Sequence, residues 1–446
     1  MELDDQVEFK KQSCNFFAIT RYLILALSLL CISCSNANFI LMNFTVICMD
    51  DMISDSSYIN QTHWLQNSYG VSMTFSSAAI GAISGTIPVV TFITRFGIRK
   101  VVFFYGIISA VGTLLMPLAV THGFATVVLA RFLQGIGASI LYSSIGKISE
   151  QWSTTSEIGL YVAILSSAFQ ISNVVTMPTA GIMCDSFLGW RSTYYMFGAI
   201  TIASYSTFYI YYRDFPSNHR HVGIYELKKI QEGKGDAVHV RKVHFLSIFK
   251  NFEIMELTIA IVGGSIAVIC LNNYGPIYLN KVLGLNVKET GYSNAIPYGI
   301  ALFAKLAAGS LTDRMSCVSV RTRLILFTLI PQTMMAAGFL TMAFTTNVFI
   351  AQLAYTLSVV LAGLNVIGIV KSAKITCTHQ LDLIMSVVSF SSWSSAFFLP
   401  ILIGVFCPNN THAEWSRFYI GVAVLVVLTN IPFPILSRLQ TAVERE

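Results

Sequence analysis

Two cations, Arg131 and Lys305, stand inside long apolar runs, and Arg131 has the most chemistry to offer. Arg131 lies within a run of apolar and small residues from Phe124 to Ile145. A charge in the bilayer core costs about 2.5–3.5 kcal/mol on insertion scales, so it faces a bundle interior or a wet cavity. Gln134, Ala138 and Tyr142 follow at helical spacing and give a partly polar stripe. That pattern suits attraction or gating of an anion. It equally suits a structural guanidinium bonded to the backbone of a facing helix, and the sequence leaves both readings open. Asn272 and Asn273, with Tyr274, can donate to a carboxylate or phosphate, or simply to a neighbouring helix; Asn36 and Asn38 present the same choice. Lys305, near the end of its run, is placed to snorkel toward the interface. Gly135, Gly137 and Gly146 are expected to let helices approach closely.

Other chemistries lack their residues. No nucleophile–base arrangement, phosphate-cradling loop or metal motif is present, and the 8 histidines fall in loops or at run ends. The 9 cysteines are scattered without zinc spacing; Cys31 and Cys34 sit inside an apolar run as small hydrophobes. The sequence therefore predicts no enzyme, no cofactor and no metal. A net charge of +6 is too small to point to nucleic acid.

What positions these residues is a membrane bundle. Of the 446 residues, 54% are hydrophobic and 11% charged, and mean hydropathy is +0.65. Soluble domains carry about 25% charge, so most of this surface faces lipid. Runs long enough to cross a bilayer fall near 21–47, 69–93, 101–121, 124–149, 158–182 and 192–212. They resume near 253–278, 291–312, 323–345, 347–370, 381–405 and 417–437. The predicted organisation is a cytosolic tail (1–20), a six-helix half (21–212), a basic cytosolic loop (213–250), a second six-helix half (251–437) and a cytosolic tail (438–446). The loop holds a short amphipathic helix at about 222–231. The first run starts near Phe16 without a small-residue cleavage pattern and reads as a retained helix. With both termini inside, only Arg191, Lys281, Lys288 and Arg417 lie outside, and the positive-inside bias is satisfied. The sequons at Asn60 and Asn409 then fall in outer loops as glycosylation sites, whereas Asn43 lies at membrane depth.

The halves repeat. Arg95-Phe-Gly97-Ile-Arg99-Lys100 follows the second run, and Gly309-Ser-Leu-Thr-Asp313-Arg314 follows the eighth. The second motif resembles the loop motif of the major facilitator superfamily. The resemblance implies a cytosolic latch at Arg95, Asp313 and Arg314, although Thr94 stands where the first copy's Asp is expected. Arg131-Phe-Leu-Gln134-Gly135-Ile-Gly137 and Gly189-Trp190-Arg191 also resemble superfamily patterns, while Pro178-x-x-Gly181 lacks the fuller glycine pattern of drug antiporters. A narrower resemblance, to the anion:cation symporter family of sialin, the vesicular glutamate transporters and the sodium–phosphate cotransporters, rests on several segments. They are Asn280 to Gly284, Glu289 to Tyr298, Lys305 to Gly309, Phe215 to His219 with Glu226, Arg21-Tyr22 and Asn43-Phe-Thr-Val. Three charges of that family are replaced here, by Leu41, Ala138 and Gly264.

The sequence thus predicts an all-α membrane protein with twelve transmembrane helices in two six-helix halves. It is expected to carry a small organic or inorganic anion by alternating access, with Na+ or H+ as coupling ion, in a plasma, endosomal, lysosomal or vesicular membrane. Arg131, Gln134, Tyr142, Asn272 and Asn273 are the candidate binding residues. The alternative is a transporter-like sensor without net transport. Topology is directly testable. Asn60→Gln should remove glycan in a glycosylating cell, and an epitope near Gly235 should stay hidden in intact cells. Surface labelling of that epitope would reverse the orientation.

Overall fold

A computed structural model describes residues 20–49, 52, 63–155, 157–232, 252–314, 329–376 and 381–430. Side chains are described over all of these except 252–257, 308–314, 365–376 and 381–387. The described residues form helices α1 (Thr20–Thr45), α2 (Ser68–Phe96), α3 (Ile98–His122), α4 (Phe124–Ala138), α5 (Leu141–Trp152), α6 (Ile158–Ser166), α7 (Ala168–Asp185) and α8 (Gly189–Tyr211). After a short helix α9 (Ile224–Gln231) come α10 (Phe252–Ile277), α11 (Val287–Arg314), α12 (Ile330–Phe344), α13 (Val348–Thr376), α14 (Leu381–Phe406) and α15 (His412–Asn430). Each predicted span has its helix, and α9 falls on the predicted amphipathic segment. The fourth span is α4 with α5 and the fifth is α6 with α7. At both breaks a serine hydroxyl bonds back along the helix, Ser139 to Ile136 O (2.7 Å) and Ser167 to Ala163 O (2.7 Å). Such back-bonding bends helices.

Seven of these spans are long and apolar enough to cross a membrane by length and composition among the described residues. The outward faces of the helices carry Ile87, Phe104, Ile210, Phe303 and Phe349, all largely exposed. An apolar exterior around a bundle whose backbone is satisfied within its own helices is the lipid-compatible solution.

The second span packs on the fourth, the third on the fourth and sixth, and the first on the fifth and sixth. In the second half the ninth packs on the tenth and twelfth, and the seventh on the eleventh and twelfth. The halves meet where the second span lies on the eleventh and the fifth on the eighth. A disulfide, Cys48–Cys184, ties the ends of the first and fifth spans. At the opposite end Arg21 pairs with Glu157 (2.7 Å), and its backbone N–H donates to Glu226 of α9 (3.0 Å). Burial pushes the Glu226 carboxyl up, against the pull of Arg21.

Helix contact in the first half depends on missing side chains. A Cβ at Gly135 would overlap the Ala78 carbonyl, one at Gly81 the Phe132 carbonyl, and one at Gly137 the Ser109 side chain. Small residues let backbones approach where no hydrophobic drive exists between helices. Gly135→Ala should therefore destabilise, by roughly 1–3 kcal/mol as overpacking does, despite alanine's better helix propensity. A lower melting temperature in detergent is the readout; an unchanged one would show that the second and fourth spans can separate freely.

Candidate functional site

Arg131 is 1% exposed and points into the first half. Its Nη1 donates to Phe39 O (2.9 Å) and Gln134 Oε1 (2.7 Å), and its Nε to Thr74 O (3.3 Å). Gln134 Nε2 donates onward to Thr113 Oγ1 (3.0 Å). The guanidinium thus joins the first, second and fourth spans and Gln134 extends the network to the third, which is the structural reading of this residue. Its donors are mostly satisfied, but its charge is not. Among the described residues the ion pairs are Arg21–Glu157 and Lys147–Glu150, both remote in sequence from Arg131. No acceptor among the described residues takes a hydrogen bond from Nη2. Flanking the guanidinium are the Phe39 and Phe75 rings, 5.5 and 6.0 Å away.

The other candidates do not gather around Arg131. Tyr142, beyond the break in the fourth span, donates its hydroxyl to Ser392 Oγ of the eleventh (3.2 Å). Its ring contacts Phe169 (5.3 Å) and Trp393 (6.0 Å), and Trp393 contacts Phe39 (5.2 Å). An aromatic chain therefore runs from Arg131 to the junction of the halves. Asn273 Oδ1 accepts from Asn43 Nδ2 (3.0 Å), and Asn272 Oδ1 from Asn173 Nδ2 (2.9 Å) and Tyr298 (3.3 Å). Both seventh-span asparagines thus bridge to the first half. Asn36 and Asn38 bond within that half, to Ser172 (2.6 Å), and to Ser109 (3.1 Å) and Thr201 (3.0 Å).

Lys305 differs most from expectation. In place of snorkelling it is 1% exposed, and Nζ donates to Gln170 Oε1 of the fifth span at 3.5 Å. Placement near the end of an apolar run suggests an interfacial lysine, but the fifth span packs on the eighth and covers it. Gln170, Asn173, Ser392 and Trp393 were not singled out by sequence. Gln170 and Asn173, three residues apart in an apolar run, carried the one available signal, a polar helix face.

Arg95 is exposed, with its guanidinium over Phe96 (5.5 Å). The carboxylate at that corner comes instead from Asp214, whose Oδ1 accepts from Arg99 N (2.8 Å). Asp313 and Arg314 end α11, but their side chains lie outside the described residues. Asn60 also lies outside them. Asn409 is exposed, and its amide donates to Glu414 (3.0 Å).

Comparison with known proteins agrees with this architecture. The chain is 28% identical to human sodium-dependent phosphate transport protein 1 over 257 residues, covering 56% of this chain and 54% of that one. It is 23% identical to human sialin over 338 residues (73% and 67%), and 22% identical to vesicular glutamate transporter 1 of Xenopus tropicalis over 382 (82% and 65%). The chain thus spans about half the length of the phosphate transport protein it matches. Among solved structures, the xylose transporter XylE from E. coli in a partially occluded inward-open conformation superposes with a TM-score of 0.70 at 15% identity, over 92% of this chain and 96% of that one. A bacterial homolog of the human lysosomal transporter Spinster, inward-facing and occupied, gives 0.68 at 11% identity, over 94% and 97%. These are transport proteins, not enzymes. With a family profile matching residues 23–400, the chain belongs to the Major Facilitator Superfamily.

Proposed function

We propose that this protein is a secondary active transporter that carries a small organic or inorganic anion across its membrane by alternating access. The observation that carries the reading is the buried Arg131 guanidinium with no carboxylate partner among the described residues. Hydrogen bonds to backbone carbonyls satisfy its donors, yet leave a full positive charge in a medium of low dielectric. Coulomb attraction at 4 Å is worth about 4 kcal/mol at an effective dielectric of 20. A charge of this sign favours an anion as the solute, and relatives named for phosphate and glutamate transport support that class.

The proposed topology keeps both termini and the 213–250 segment in the cytosol, with Asn60 and Asn409 outside. A sensor without net transport is the second reading. It is favoured by the burial of Leu41, Ala138 and Gly264 at the three positions where the resembling family carries charge.

No Asp or Glu stands in the middle of a proposed span. Proton-coupled carriers often use an intramembrane carboxylate; here the solute itself supplies the negative charge. Uptake is thus expected to follow membrane potential or a sodium gradient more than a pH gradient. The test is purified protein in liposomes given labelled phosphate, L-glutamate and N-acetylneuraminate, with the three gradients imposed separately. At least one anion should accumulate, and Arg131→Lys should slow it roughly tenfold or more as charge-assisted bonds are lost. Arg131→Ala should abolish uptake. It should also lower the melting temperature, because two buried carbonyls and Gln134 lose their donor. Binding without uptake would select the sensor; normal uptake by Arg131→Ala would remove Arg131 from the site. Strong uptake on a pH gradient at zero potential without sodium would refute the proposed driving force.

A further inference from the structure

Lys305 is a second intramembrane cation, and it belongs to the other half. Its ammonium has three donors and one long contact, to Gln170 Oε1 at 3.5 Å. Both side chains are buried, at 1% and 8% exposure, and among the described residues no carboxylate pairs with the lysine. The Gln170 amide N–H2 makes no hydrogen bond of its own among the described residues. Gly363 of the tenth span packs beside it, and a Cβ there would stand 3.3 Å from Ala301 Cβ and 3.7 Å from Gln170 Nε2. Three spans, the fifth, eighth and tenth, therefore meet at a place rich in donors and short of acceptors.

Packing alone does not account for such a place. A buried ammonium without a counter-ion is among the costliest groups in a membrane bundle. If Lys305 served only to hold helices together, a neutral residue would do so at lower cost. The missing component is an oxyanion, which would accept from Nζ and Nε2 together.

We infer that Lys305 and Gln170 form an oxyanion-binding site of the carrier, engaging the carboxylate or phosphate head of the solute from the second half and the first half at once. This rests on the reading of the protein as an anion carrier. Because Gln170 is on the fifth span and Lys305 on the eighth, an anion held between them joins the halves. Phe169, which precedes Gln170, contacts the Tyr142 ring at 5.3 Å.

The experiment is thermal unfolding of the purified full chain in detergent. Sodium phosphate, L-glutamate and N-acetylneuraminate are compared with sodium chloride at equal ionic strength. At least one oxyanion should raise the wild-type melting temperature. Lys305→Gln should weaken that anion's affinity roughly ten- to a hundredfold, the worth of a hydrogen bond to a charged group. Lys305→Arg should keep most of it, and Gln170→Ala should weaken it less. In chloride alone Lys305→Gln should melt no lower than wild type, since it removes an uncompensated charge. A response to phosphate alone assigns a phosphate head; a response to either organic anion assigns a carboxylate. An equal shift in wild type and Lys305→Gln overturns the inference, as does no shift with any oxyanion, or a variant that melts lower in chloride or does not fold. Uptake separates this from the transport reading. A Lys305-dependent shift without uptake keeps the site and rejects transport; uptake indifferent to Lys305→Gln does the reverse.

Discussion

A guanidinium sealed inside a bundle without a carboxylate must take its acceptors from the backbone, and much of the first half is arranged around that need. Arg131 draws on the Phe39 and Thr74 carbonyls and on Gln134, which reaches Thr113. Four spans are registered by one side chain and its neighbour. A hydrogen bond to a carbonyl satisfies a donor without cancelling a charge, so a structural and an electrostatic role are compatible in the same residue. The two readings that the sequence offers for Arg131 therefore do not exclude each other.

The same economy of groups shapes the packing. Where the second and fourth spans cross, Gly81 and Gly135 remove side chains that would separate the backbones. That closeness brings the Thr74 carbonyl within reach of Arg131. At the far end Gly97, at φ 83°, turns the chain between the second and third spans. A Cβ there would strike the Asp214 carboxylate, which is bonded to Arg99 N. Glycine thus serves two needs, a left-handed turn and room for a carboxylate at a helix start.

The spans were legible because their length and apolar content are set by lipid, a property of solvent rather than of partners. The amphipathic helix near 222–231 was legible for the same reason, being polar on one face and apolar at Ile230. Pairings were not legible. Cys48 and Cys184 lie 136 residues apart, and nothing local marks them as neighbours. Asn43 read as a chance sequon at membrane depth, while the structure gives it Asn273 as acceptor. Lys305 read as interfacial because sequence shows distance from a span's end but not which neighbour covers it. Each of these depends on faces that meet only after the helices have packed.

The alternating access proposed above would require those faces to part, and the bonds across the junction would set its cost. Between the halves lie Asn43–Asn273, Asn173–Asn272, Tyr142–Ser392, Ser76 to Phe397 O and Lys305–Gln170. None is an ion pair. Breaking one partner out of a buried ion pair costs about 3–5 kcal/mol, whereas a neutral hydrogen bond contributes about 0.5–1.5 kcal/mol net. Amides and hydroxyls freed by opening would face a water-filled cleft and find partners there. The disulfide stays within the first half, joining the first and fifth spans, so it stiffens one body without tethering it to the other. Lys305–Gln170 is the charged bond among these; the others are neutral and would exchange at modest cost between two internally braced halves, which leaves that charge as the term by which a solute would bias the exchange.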